Sequence, residues 1–309
     1  MAKYSLVIPV YNEEVVIVET HKRLVKVIAS IGEDFELIFI NDGSTDSTGA
    51  LIKEICKKNN NVKLLEFSRN FGHQTAISAG IDFAKGEATI IIDADLQDPP
   101  EVIPEMIKKW KEGFEVVHGK RIKRKGESLF KKLTAFLFYR LLKNLTSFDI
   151  AVDSGDFRLI DKKVCATIKN MHEKSRYMRG LFSWVGYSQT FVEYVREERF
   201  AGETKYPLKK MLQFALDAIT SFSYRPLRIA SYIGFLLSCV SFLYLLIVIY
   251  QRLFTNTTIT GWTSVIVVNL FFFGIVLIIL GIIGEYIGRI YEETKNRPLY
   301  ILKDKLGFE

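Results

Sequence analysis

The sequence predicts an α/β protein whose mostly parallel, doubly wound sheet is followed by two transmembrane helices. Residues 4 to 120 alternate short apolar runs with amphipathic helical patterns, which is typical of βα units that build a parallel sheet. After residue 226 the chain has two uncharged apolar stretches of roughly 20 residues each, enough to cross about 30 Å of hydrocarbon. Together these observations predict a polar α/β domain and a membrane region.

Composition agrees with this division. The 309 residues are 49% hydrophobic, with a mean hydropathy of +0.13, and the apolar excess is concentrated after residue 226. The net charge of +7 suits a nucleic acid, an anionic membrane surface or a phosphorylated substrate. The cysteines Cys56, Cys165 and Cys239 have no pairing or metal-site spacing, which favours a reduced, cytosol-facing protein. The first residues do not resemble a secretory signal peptide.

The α/β region is predicted element by element. Strands are expected from β-branched and aromatic runs, and helices from apolar residues at helical spacing. The predicted strands are Tyr4–Val10, Phe35–Asn41, Val62–Phe67, Thr89–Ile92 and Phe114–Val117. The predicted helices are Glu14–Ile31, Asp46–Lys58, His73–Lys85 and Pro100–Lys111.

Polar residues follow successive predicted strands. Because the carboxyl ends of parallel strands share one edge of a sheet, these residues are expected in one crevice. They are Tyr11, Asn12 and Glu13, then Asp42, then Ser68, Arg69 and Asn70, and finally Asp93 and Asp95. Ordinary turn chemistry also favours such residues, but four consecutive polar loops favour a site. The sequence contains no Gly-x-Gly-x-x-Gly, and the segment from Gly113 to Lys120 lacks P-loop spacing.

The acidic loop after the Thr89–Ile92 strand is a candidate metal site. Asp93 and Asp95 stand two residues apart, with Gln97 close behind. Mg²⁺ typically takes one or two carboxylates together with substrate phosphates. A solvated acidic turn is the alternative. In the absence of a glycine cradle, we expect a metal to hold the phosphates of a ligand.

Two stretches are predicted as amphipathic interface helices, at about 128–146 and 207–222. In the first, an apolar stripe is flanked by lysines, and a basic run from Lys120 to Lys125 precedes it. Such a helix can lie in a membrane interface. A core-facing helix with a solvated back is the alternative, and the apolar segments downstream favour the membrane.

Three further residues are candidates for chemistry after residue 150. Asp156 lies beside Gly155 in a loop with a second carboxylate, Asp153. Arg199 and Lys205 belong to a charged loop and could clamp a diphosphate. By themselves, these residues would also suit a charged surface.

The predicted spans cover about 229–250 and 262–283. Lysines and arginines cluster before the first span and after the second, whereas the intervening loop has only Arg252. By the positive-inside rule, both termini are expected in the cytoplasm and the loop outside the cell membrane. The alternative is a buried helical hairpin. Gly284-x-x-x-Gly288 is compatible with helix packing, so a homo-oligomer through the transmembrane helices is one expectation.

These predictions divide the chain into three parts. Residues 1–225 are expected to form the catalytic domain, and residues 226–290 the two-helix membrane region. Residues 291–309 are expected to form a cytoplasmic tail.

An ordered set of motifs resembles one family. The motifs are Pro9-Val-Tyr-Asn-Glu13, Asn41-Asp-Gly-Ser44, Arg69-Asn-Phe-Gly72, Asp93-Ala-Asp-Leu-Gln97, Gly155-Asp-Phe-Arg158, Arg199-Phe-Ala-Gly-Glu-Thr-Lys-Tyr206 and Gly284-Glu-Tyr-Ile-Gly-Arg-Ile-Tyr-Glu-Glu293. Over nearly its whole length the chain resembles polyprenyl-phosphate glycosyltransferases of the GT-A, family 2 type, which include bactoprenol glucosyltransferases and dolichol-phosphate mannose synthases. Bacterial undecaprenyl-phosphate enzymes with two C-terminal spans are the most similar subgroup.

The resemblance implies a GT-A (Rossmann-like) fold and a role for each candidate residue. Pro9, Tyr11, Asn12, Glu13 and Asp42 are implied to bind the uridine of a UDP-sugar. Asp95, with Asp93 and Gln97, is implied to hold Mg²⁺ or Mn²⁺ against the diphosphate. Arg121, Arg199 and Lys205 are implied to neutralise phosphates, and the 128–146 helix to present the lipid. Asn41 and the pair Lys131-Lys132 depart from residues that are frequent in the family.

The implied reaction is an inverting transfer of a sugar, glucose or N-acetylglucosamine, to undecaprenyl phosphate. The product would be a lipid-linked sugar donor for the modification of cell-envelope glycans. Asp156 is the candidate base in such enzymes. A phosphate monoester is already mostly a dianion at neutral pH, so we expect Asp156 to orient the acceptor or to stabilise positive charge at the sugar instead.

Two alternatives belong to other classes. A processive family 2 polysaccharide synthase would carry Gln-x-x-Arg-Trp, and none of the three tryptophans here follows an arginine. A non-catalytic membrane partner would not need the set Asp93, Asp95 and Asp156. Nucleic acid is not expected as a partner, because the basic residues cluster beside the predicted spans.

Overall fold

The computed structural model describes residues 2–123, 154–174, 176–197, 225–254 and 261–308. Its main feature is a mixed eight-stranded sheet with the order β7-β5-β6-β4-β1-β2-β3-β8. The strands are β1 (Tyr4–Val10), β2 (Phe35–Asn41), β3 (Val62–Phe67), β4 (Ala88–Ile91), β5 (Val116–Lys123), β6 (Ser154–Asp161), β7 (Gln189–Val195) and β8 (Leu302–Leu306).

The described helices are numbered in chain order. They are α1 (Ile17–Ile31), α2 (Thr48–Lys58), α3 (His73–Phe83), α4 (Ile103–Lys111), α5 (Lys162–Lys169), α6 (Met178–Trp184), α7 (Arg225–Phe254) and α8 (Trp262–Thr294). A 3-10 turn, Pro100–Val102, leads directly into α4. The predicted helix Pro100–Lys111 therefore exists, and its first turn is tighter than an α-helix.

The sheet is parallel around β1 and partly antiparallel towards both edges. β1 pairs in parallel with β2 and β4, and β2 pairs in parallel with β3. The carboxyl ends of these four strands therefore share one edge of the sheet, as predicted. β6 runs antiparallel to β4 and β5, which brings its amino-terminal residues, Gly155 and Asp156, to that same edge.

The sheet core forms because its central strands are apolar on both faces. Every residue of β1 and β2 is buried, as expected for strands covered by helices on both sides. Leu6, Ile8 and Phe39 belong to a cluster that also takes up the apolar stripes of α1 and α4. Truncation of a fully buried aromatic residue such as Phe39 to alanine typically costs about 3–5 kcal/mol.

The last residues return to the sheet. The sequence analysis treated residues 291–309 as a tail and assigned no strand there. In the structure, α8 continues to Thr294, and β8 pairs antiparallel with the edge of β3. The alternation of half-buried and exposed residues along β8 is typical of an edge strand, but five residues with three charges give a weak sequence signal.

Helices α7 and α8 form a second unit, separate from the sheet domain. Pro226–Tyr244 and Phe271–Thr294 are long and apolar enough to cross a membrane. These helices expose large apolar side chains such as Phe235, Phe242 and Leu277. Ile279 Cδ1 lies 3.9 Å from the position that a Cβ would take on Gly234, so the two helices approach each other there.

Most predicted elements of the first 117 residues are confirmed. The three strands β1 to β3 have the predicted bounds, and β4 begins and ends one residue earlier than predicted. The predicted strand Phe114–Val117 overlaps β5 only at Val116 and Val117, because β5 begins at Val116 and continues to Lys123. Strands β6, β7 and β8 and helices α5 and α6 were not predicted. The interface helices predicted at about 128–146 and 207–222 lie outside the described residues.

Candidate active site

The loops after β1 and β2 are fastened to each other by hydrogen bonds. The backbone N–H of Asn12 donates to Ser44 Oγ at 3.0 Å, and Asn12 Oδ1 accepts from the N–H of Thr45 at 2.8 Å. The N–H of Glu13 donates to Thr48 Oγ1 at 2.8 Å. Asn12 has a φ of 54°, in the left-handed region that asparagine tolerates better than most residues. Asn12 therefore has a structural role in this loop.

The loop after β2 lies directly against the loop after β3. Gly43 has a φ of +68°, and a Cβ at this position would come within 2.4 Å of the Arg69 carbonyl carbon. Only glycine satisfies both the backbone conformation and the close approach. The Asn41-Asp-Gly-Ser44 motif thus brings the two loops into backbone contact.

Asp42 is almost completely buried between these loops. Its two carboxylate oxygens accept the backbone N–H groups of Phe71 and Gly72, at 2.7 and 3.0 Å. Burial raises the pKa of Asp42, and the two N–H donors oppose that shift. The side chain holds the loop 68–72 in place, which is a role that the sequence analysis did not assign to it.

The other residues expected to bind nucleotide occupy the same edge of the sheet. Pro9 is buried in β1, opposite Ile40 of β2. Tyr11 follows the strand and is 36% exposed. Asn12 and Glu13 follow Tyr11 in the loop after β1, and Asp42 directly follows β2, so all five residues lie at the carboxyl ends of these two adjacent strands.

The acidic loop after β4 adjoins this group along the same edge. The backbone N–H of Gln97 donates to Asp95 Oδ1 at 3.2 Å, which folds the loop back on itself. Gln97 Oε1 accepts from Arg196 Nη2 at 2.7 Å. Leu96 has a φ of 57° and is buried, so the backbone turns sharply between Asp95 and Gln97.

Asp93 is the least compensated carboxylate of this loop. Among the described residues its Oδ1 accepts no hydrogen bond, although His73 Nε2 lies 3.4 Å away. Burial raises the Asp93 pKa to about 6; His73 opposes the shift, whereas the carboxylates of Asp98, Asp156 and Asp95 add to it.

Arg121 and Asp98 form a buried ion pair beside this loop. Arg121 Nη2 lies 3.1 Å from both oxygens of Asp98, and Arg121 Nε donates to the Tyr194 hydroxyl at 3.0 Å. Tyr194 in turn donates to Asp98 Oδ1 at 2.5 Å. A Cβ on Gly155 would lie 2.5 Å from Arg121 Nη2, so glycine leaves the space that the guanidinium occupies. The arginine expected to face phosphates is held by a protein carboxylate.

Asp156, in contrast to Asp93, is surrounded by cations. Arg179 Nε and Nη2 donate to its two oxygens at 3.0 and 3.1 Å, in a bidentate pair. Arg158 Nη2 lies 3.8 Å from Oδ1. Burial alone would raise the Asp156 pKa, but Arg179 and His73 hold it well below its usual range.

His73 links the two carboxylates. It is the first residue of α3, and its Nε2 lies 3.4 Å from both Asp93 Oδ1 and Asp156 Oδ2. Burial would lower the His73 pKa, but the two carboxylates raise it to about 9. The imidazole is therefore charged at neutral pH and shared between the end of β4 and the start of β6.

The residues after β4 fit a divalent cation. No three His, Cys, Asp or Glu side chains in the described part of the chain converge as a ready-made metal site. However, a buried aspartate with an unsatisfied oxygen, next to a second carboxylate, is the donor set that Mg²⁺ or Mn²⁺ completes with substrate phosphates. Asp93 and Asp95 would hold such a cation, while Gln97 Oε1 already accepts the hydrogen bond from Arg196.

The sequence analysis missed part of this constellation. Asp98 is one residue beyond the expected metal-binding run, so its position was a usable signal. His73 follows the Arg69-Asn-Phe-Gly72 motif at a predicted helix start, which was a weaker one. Arg179 and Tyr194 gave no local signal, because tertiary pairing alone brings them to Asp156 and Asp98. Arg199 and Lys205 lie outside the described residues.

The mixed sheet with its carboxylate-rich edge has the architecture of a GT-A glycosyltransferase, and the family comparison agrees. The sequence model of the family described as glycosyl transferase family 2 matches residues 5–169. The chain belongs to glycosyltransferase family 2.

Several relatives match nearly the whole chain. The glycosyltransferase YkcC of Bacillus subtilis (strain 168) is 60% identical over 307 residues, which is 99% of this chain and 95% of the relative. The bactoprenol glucosyl transferase of Shigella phage SfII is 44% identical over 301 residues, 97% of each chain. A prophage bactoprenol glucosyl transferase homolog of Escherichia coli (strain K12) is also 44% identical, over 97% of this chain and 98% of the relative.

One solved structure is a more distant match. The complex of glucosyl-3-phosphoglycerate synthase from Mycobacterium tuberculosis with Mn²⁺, UDP and phosphoglyceric acid aligns with a TM-score of 0.48 at 18% identity. The alignment covers 71% of this chain and 76% of that one. A likeness at this level carries no argument about the site.

Proposed function

We propose that this enzyme transfers a sugar from a UDP-sugar to polyprenyl phosphate at the cytoplasmic face of the cell membrane, with inversion at the anomeric carbon. The observation that carries the proposal is the pair Asp93 and Asp156, which face one histidine at the carboxyl edge of the sheet. The similarity to bactoprenol glucosyl transferases supports a polyprenyl phosphate acceptor. The product would be a lipid-linked sugar for the modification of envelope glycans.

The donor nucleoside would bind at the loops after β1, β2 and β3. Tyr11 is partly exposed there, and the backbone around Asn12, Asp42 and Gly43 is fixed by the contacts described above. Fixed loops lose little conformational entropy when a ligand binds, which favours affinity. Arg199 and Lys205 are proposed to bind the diphosphate, on the basis of the family motif alone.

A divalent cation held by Asp93 and Asp95 would supply charge neutralisation for the diphosphate as UDP departs. The protein itself prepares that position, because burial, together with the neighbouring carboxylates, raises the Asp93 pKa and disfavours its charge when no cation is bound. Arg121 is paired with Asp98, so its role would be to shape the loop as well as to add positive charge near the phosphates.

In the transfer, a phosphate oxygen of the acceptor forms a bond to the anomeric carbon while the bond from that carbon to UDP breaks. No proton has to leave the acceptor, because its phosphate is mostly a dianion at neutral pH. Asp156 is held by Arg179 and has a low pKa, which makes it a weak base. We assign it to orienting the acceptor and stabilising positive charge at the sugar.

The course of the chain supports the proposed membrane topology. The first and last strands belong to one sheet, and the two long apolar helices lie between them in sequence. If these helices span the membrane, they must cross it an even number of times before the chain returns to the sheet. Two crossings satisfy this requirement, and the lysine and arginine distribution favours cytoplasmic termini. A homo-oligomer through these helices remains a proposal from the Gly284 motif.

A donor screen tests the reaction. Purified full-length enzyme in detergent is incubated with undecaprenyl phosphate, Mn²⁺ and either UDP-glucose or UDP-N-acetylglucosamine, and the extracted lipid is identified by mass spectrometry. We expect one sugar on the lipid and stoichiometric release of UDP. Polymer formed from a single donor would support a processive synthase instead. Absence of UDP release with every UDP-sugar would contradict the proposed function.

Cysteine labelling tests the topology. A single cysteine replacing Asn256 should react with a membrane-impermeant maleimide in intact cells. One replacing Lys303, whose side chain is 64% exposed, should react only after permeabilisation. The background carries serine at the three native cysteine positions. The reverse pattern would place the sheet domain outside the cell.

A further inference from the structure

The C-terminal strand reaches the loop that carries the Asp42 contacts. β8 pairs with β3 from Leu64 opposite Leu306 to Phe67 opposite Leu302. The contact continues beyond the strands, because the N–H of Ser68 donates to the Ile301 carbonyl at 3.0 Å. The first residue of the loop 68–72 is therefore fixed by the last segment of the chain.

Tyr300 provides the main side-chain contact at this point. Its ring stacks on Phe67 with centroids 5.1 Å apart and planes inclined by 13°. Its hydroxyl donates to Asp82 Oδ2 of α3 at 3.0 Å. The tyrosine thus stacks on the end of β3, where the loop begins, and its hydroxyl ties it to the C-terminal part of the helix that follows the loop.

The contact continues from Tyr300 to Asp42 through two phenylalanines. Phe67 is buried and meets Phe71 edge-on, with centroids 5.6 Å apart. The backbone N–H of Phe71 then donates to Asp42 Oδ1 at 2.7 Å. Offset or edge-to-face aromatic pairs contribute about 0.5–1.5 kcal/mol each beyond the area they bury. Displacement of Tyr300 would therefore free the Phe67 ring and, through it, the Phe71 backbone.

We propose that Tyr300 is a positioning residue for nucleotide binding, which acts through Phe67 and the loop 68–72 on Asp42. This inference rests on the proposed UDP-sugar donor and goes beyond it, because it makes the segment after the apolar helices part of the donor site. Tyr300 does not touch the nucleotide. It holds the loop that, with the Asn41-Asp-Gly-Ser44 turn, would contact the uridine.

The chain offers a matched control in the same segment. Phe308 also packs against α3, with its ring 5.2 Å from the Phe83 ring and inclined by 68°. Lys63 Nζ lies over the Phe308 ring, 5.1 Å from its centroid. Phe308 is at the far end of β8 from the loop 68–72. Its loss therefore removes an aromatic contact of this segment but leaves the contacts that connect Tyr300 to Asp42 unchanged.

The experiment compares Tyr300→Leu, Tyr300→Phe and Phe308→Leu in the full-length enzyme. UDP affinity is measured by titration calorimetry in the presence of Mn²⁺, and KM is measured separately for donor and acceptor. We expect Tyr300→Leu to raise the UDP Kd and the donor KM about tenfold, the loss of roughly one or two aromatic contacts. The acceptor KM should stay within about twofold. Tyr300→Phe keeps the aromatic stacking on Phe67, and Phe308→Leu keeps the contacts between Tyr300 and Asp42. Both variants should therefore bind UDP as the parent does.

Each other outcome has a definite meaning. A lower melting temperature with unchanged UDP affinity in Tyr300→Leu would make the residue merely structural. Equal weakening in Phe308→Leu would show that any loosening of β8 suffices. Both results overturn the inference but leave the proposed donor intact. If the parent enzyme binds no UDP, the donor assignment and this inference both fail.

A measurement on the parent enzyme covers the case in which Tyr300→Leu does not fold. Hydrogen exchange is followed in peptides that contain residues 68–72 and 300–306, with and without UDP and Mn²⁺. We expect UDP to slow exchange in both segments, since the N–H of Ser68 bonds to Ile301. If UDP slows exchange in the loop but leaves exchange in the C-terminal segment unchanged, the proposed coupling is overturned.

Discussion

The end of β4 and the start of β6 present two buried aspartates with opposite electrostatics. Asp93 has carboxylate neighbours and a pKa raised to about 6, whereas Arg179 and His73 hold the pKa of Asp156 well below its usual range. Asp93 follows β4 and Asp156 lies near the start of β6, which pairs antiparallel with β4, and His73 Nε2 lies 3.4 Å from an oxygen of each. Residue type therefore does not define the role; the charges around each carboxylate do.

The difference indicates what each carboxylate is prepared for. Asp93 shares its one nearby histidine with Asp156 and has three carboxylate neighbours, so a cation that arrives with the substrate would stabilise its charge. Asp156 already has its counter-charges from the protein, so it needs no cation and holds a proton poorly. Environments that shift the pKa values of two carboxyl groups in opposite directions are a common sign that the two groups have different roles at an active site.

The largest expected effect on catalysis comes from removing a carboxylate that would hold the cation. Asp95→Ala should lower kcat by about a hundredfold or more, the scale of losing a main electrostatic stabiliser of the transition state. Single-turnover transfer from UDP-sugar to lipid phosphate measures it. Undiminished transfer by the parent enzyme in excess EDTA would contradict a cation requirement and remove the basis of the comparison.

A smaller loss of transfer rate is expected from a change at Asp156. Asp156→Asn keeps the side-chain size and part of the hydrogen bonding to Arg179, but it cannot accept a proton. We expect a loss of about tenfold, with an acidic limb of the pH profile still near 6, the second pKa of a phosphate monoester. Rates from about pH 5 to 9 test this. Inactivity equal to that of Asp95→Ala, with normal donor and lipid binding, would establish Asp156 as a necessary base.

Arg179→Lys should have a still smaller effect. Lysine keeps the positive charge but cannot donate two parallel hydrogen bonds to Asp156. We expect kcat to fall by about three- to fivefold with an unchanged donor KM, equivalent to somewhat under 1 kcal/mol. Arg176→Lys, a nearby arginine that bonds the Met171 carbonyl instead, is the matched control and should behave as the parent does. A changed UDP Kd in Arg179→Lys would place this residue on the donor side.

The smallest effect is a pH-dependent stability change. The folded-state pKa of Asp93, about 6, lies above its ordinary value, so its contribution to stability is present at low pH and is lost as pH rises through 6. A bound cation would offset that loss. Mn²⁺ with UDP should therefore raise the melting temperature by a few degrees at pH 7.5 and by much less at pH 5. An equal gain at both pH values, or an equal gain in Asp93→Asn, would show that the cation binds elsewhere.

The sequence predicted the surroundings of Asp93 better than those of Asp156. The parallel half of the sheet was readable because βα alternation and β-branched runs are local signals, and the loops after β1 to β4 follow directly from them. The acidic pair Asp93 and Asp95 was found in the same way. The cations around Asp156 were not found, because Arg179 reaches it from a helix that no local pattern connects to β6. His73 was seen only as a helix start.

The same contrast applies to the edges of the sheet. β8 contains three charged residues in five and follows a long apolar helix, so its pattern is that of a polar tail. What makes it a strand is the free edge of β3, together with the ion pairs of Lys53 with Glu66 and Asp304, at 2.6 and 3.2 Å. Pairing across more than 200 residues of chain is invisible to a local pattern.

The return of the last strand to the sheet also concerns how this enzyme is made and handled. During synthesis the edge of β3 remains open until the two long helices have been produced, and an open edge is a template for wrong pairing. A shortened enzyme that ends before Arg225 would keep that open edge permanently. A soluble version should instead retain residues 297–309, joined by a flexible linker, so that the domain keeps the strand that closes it.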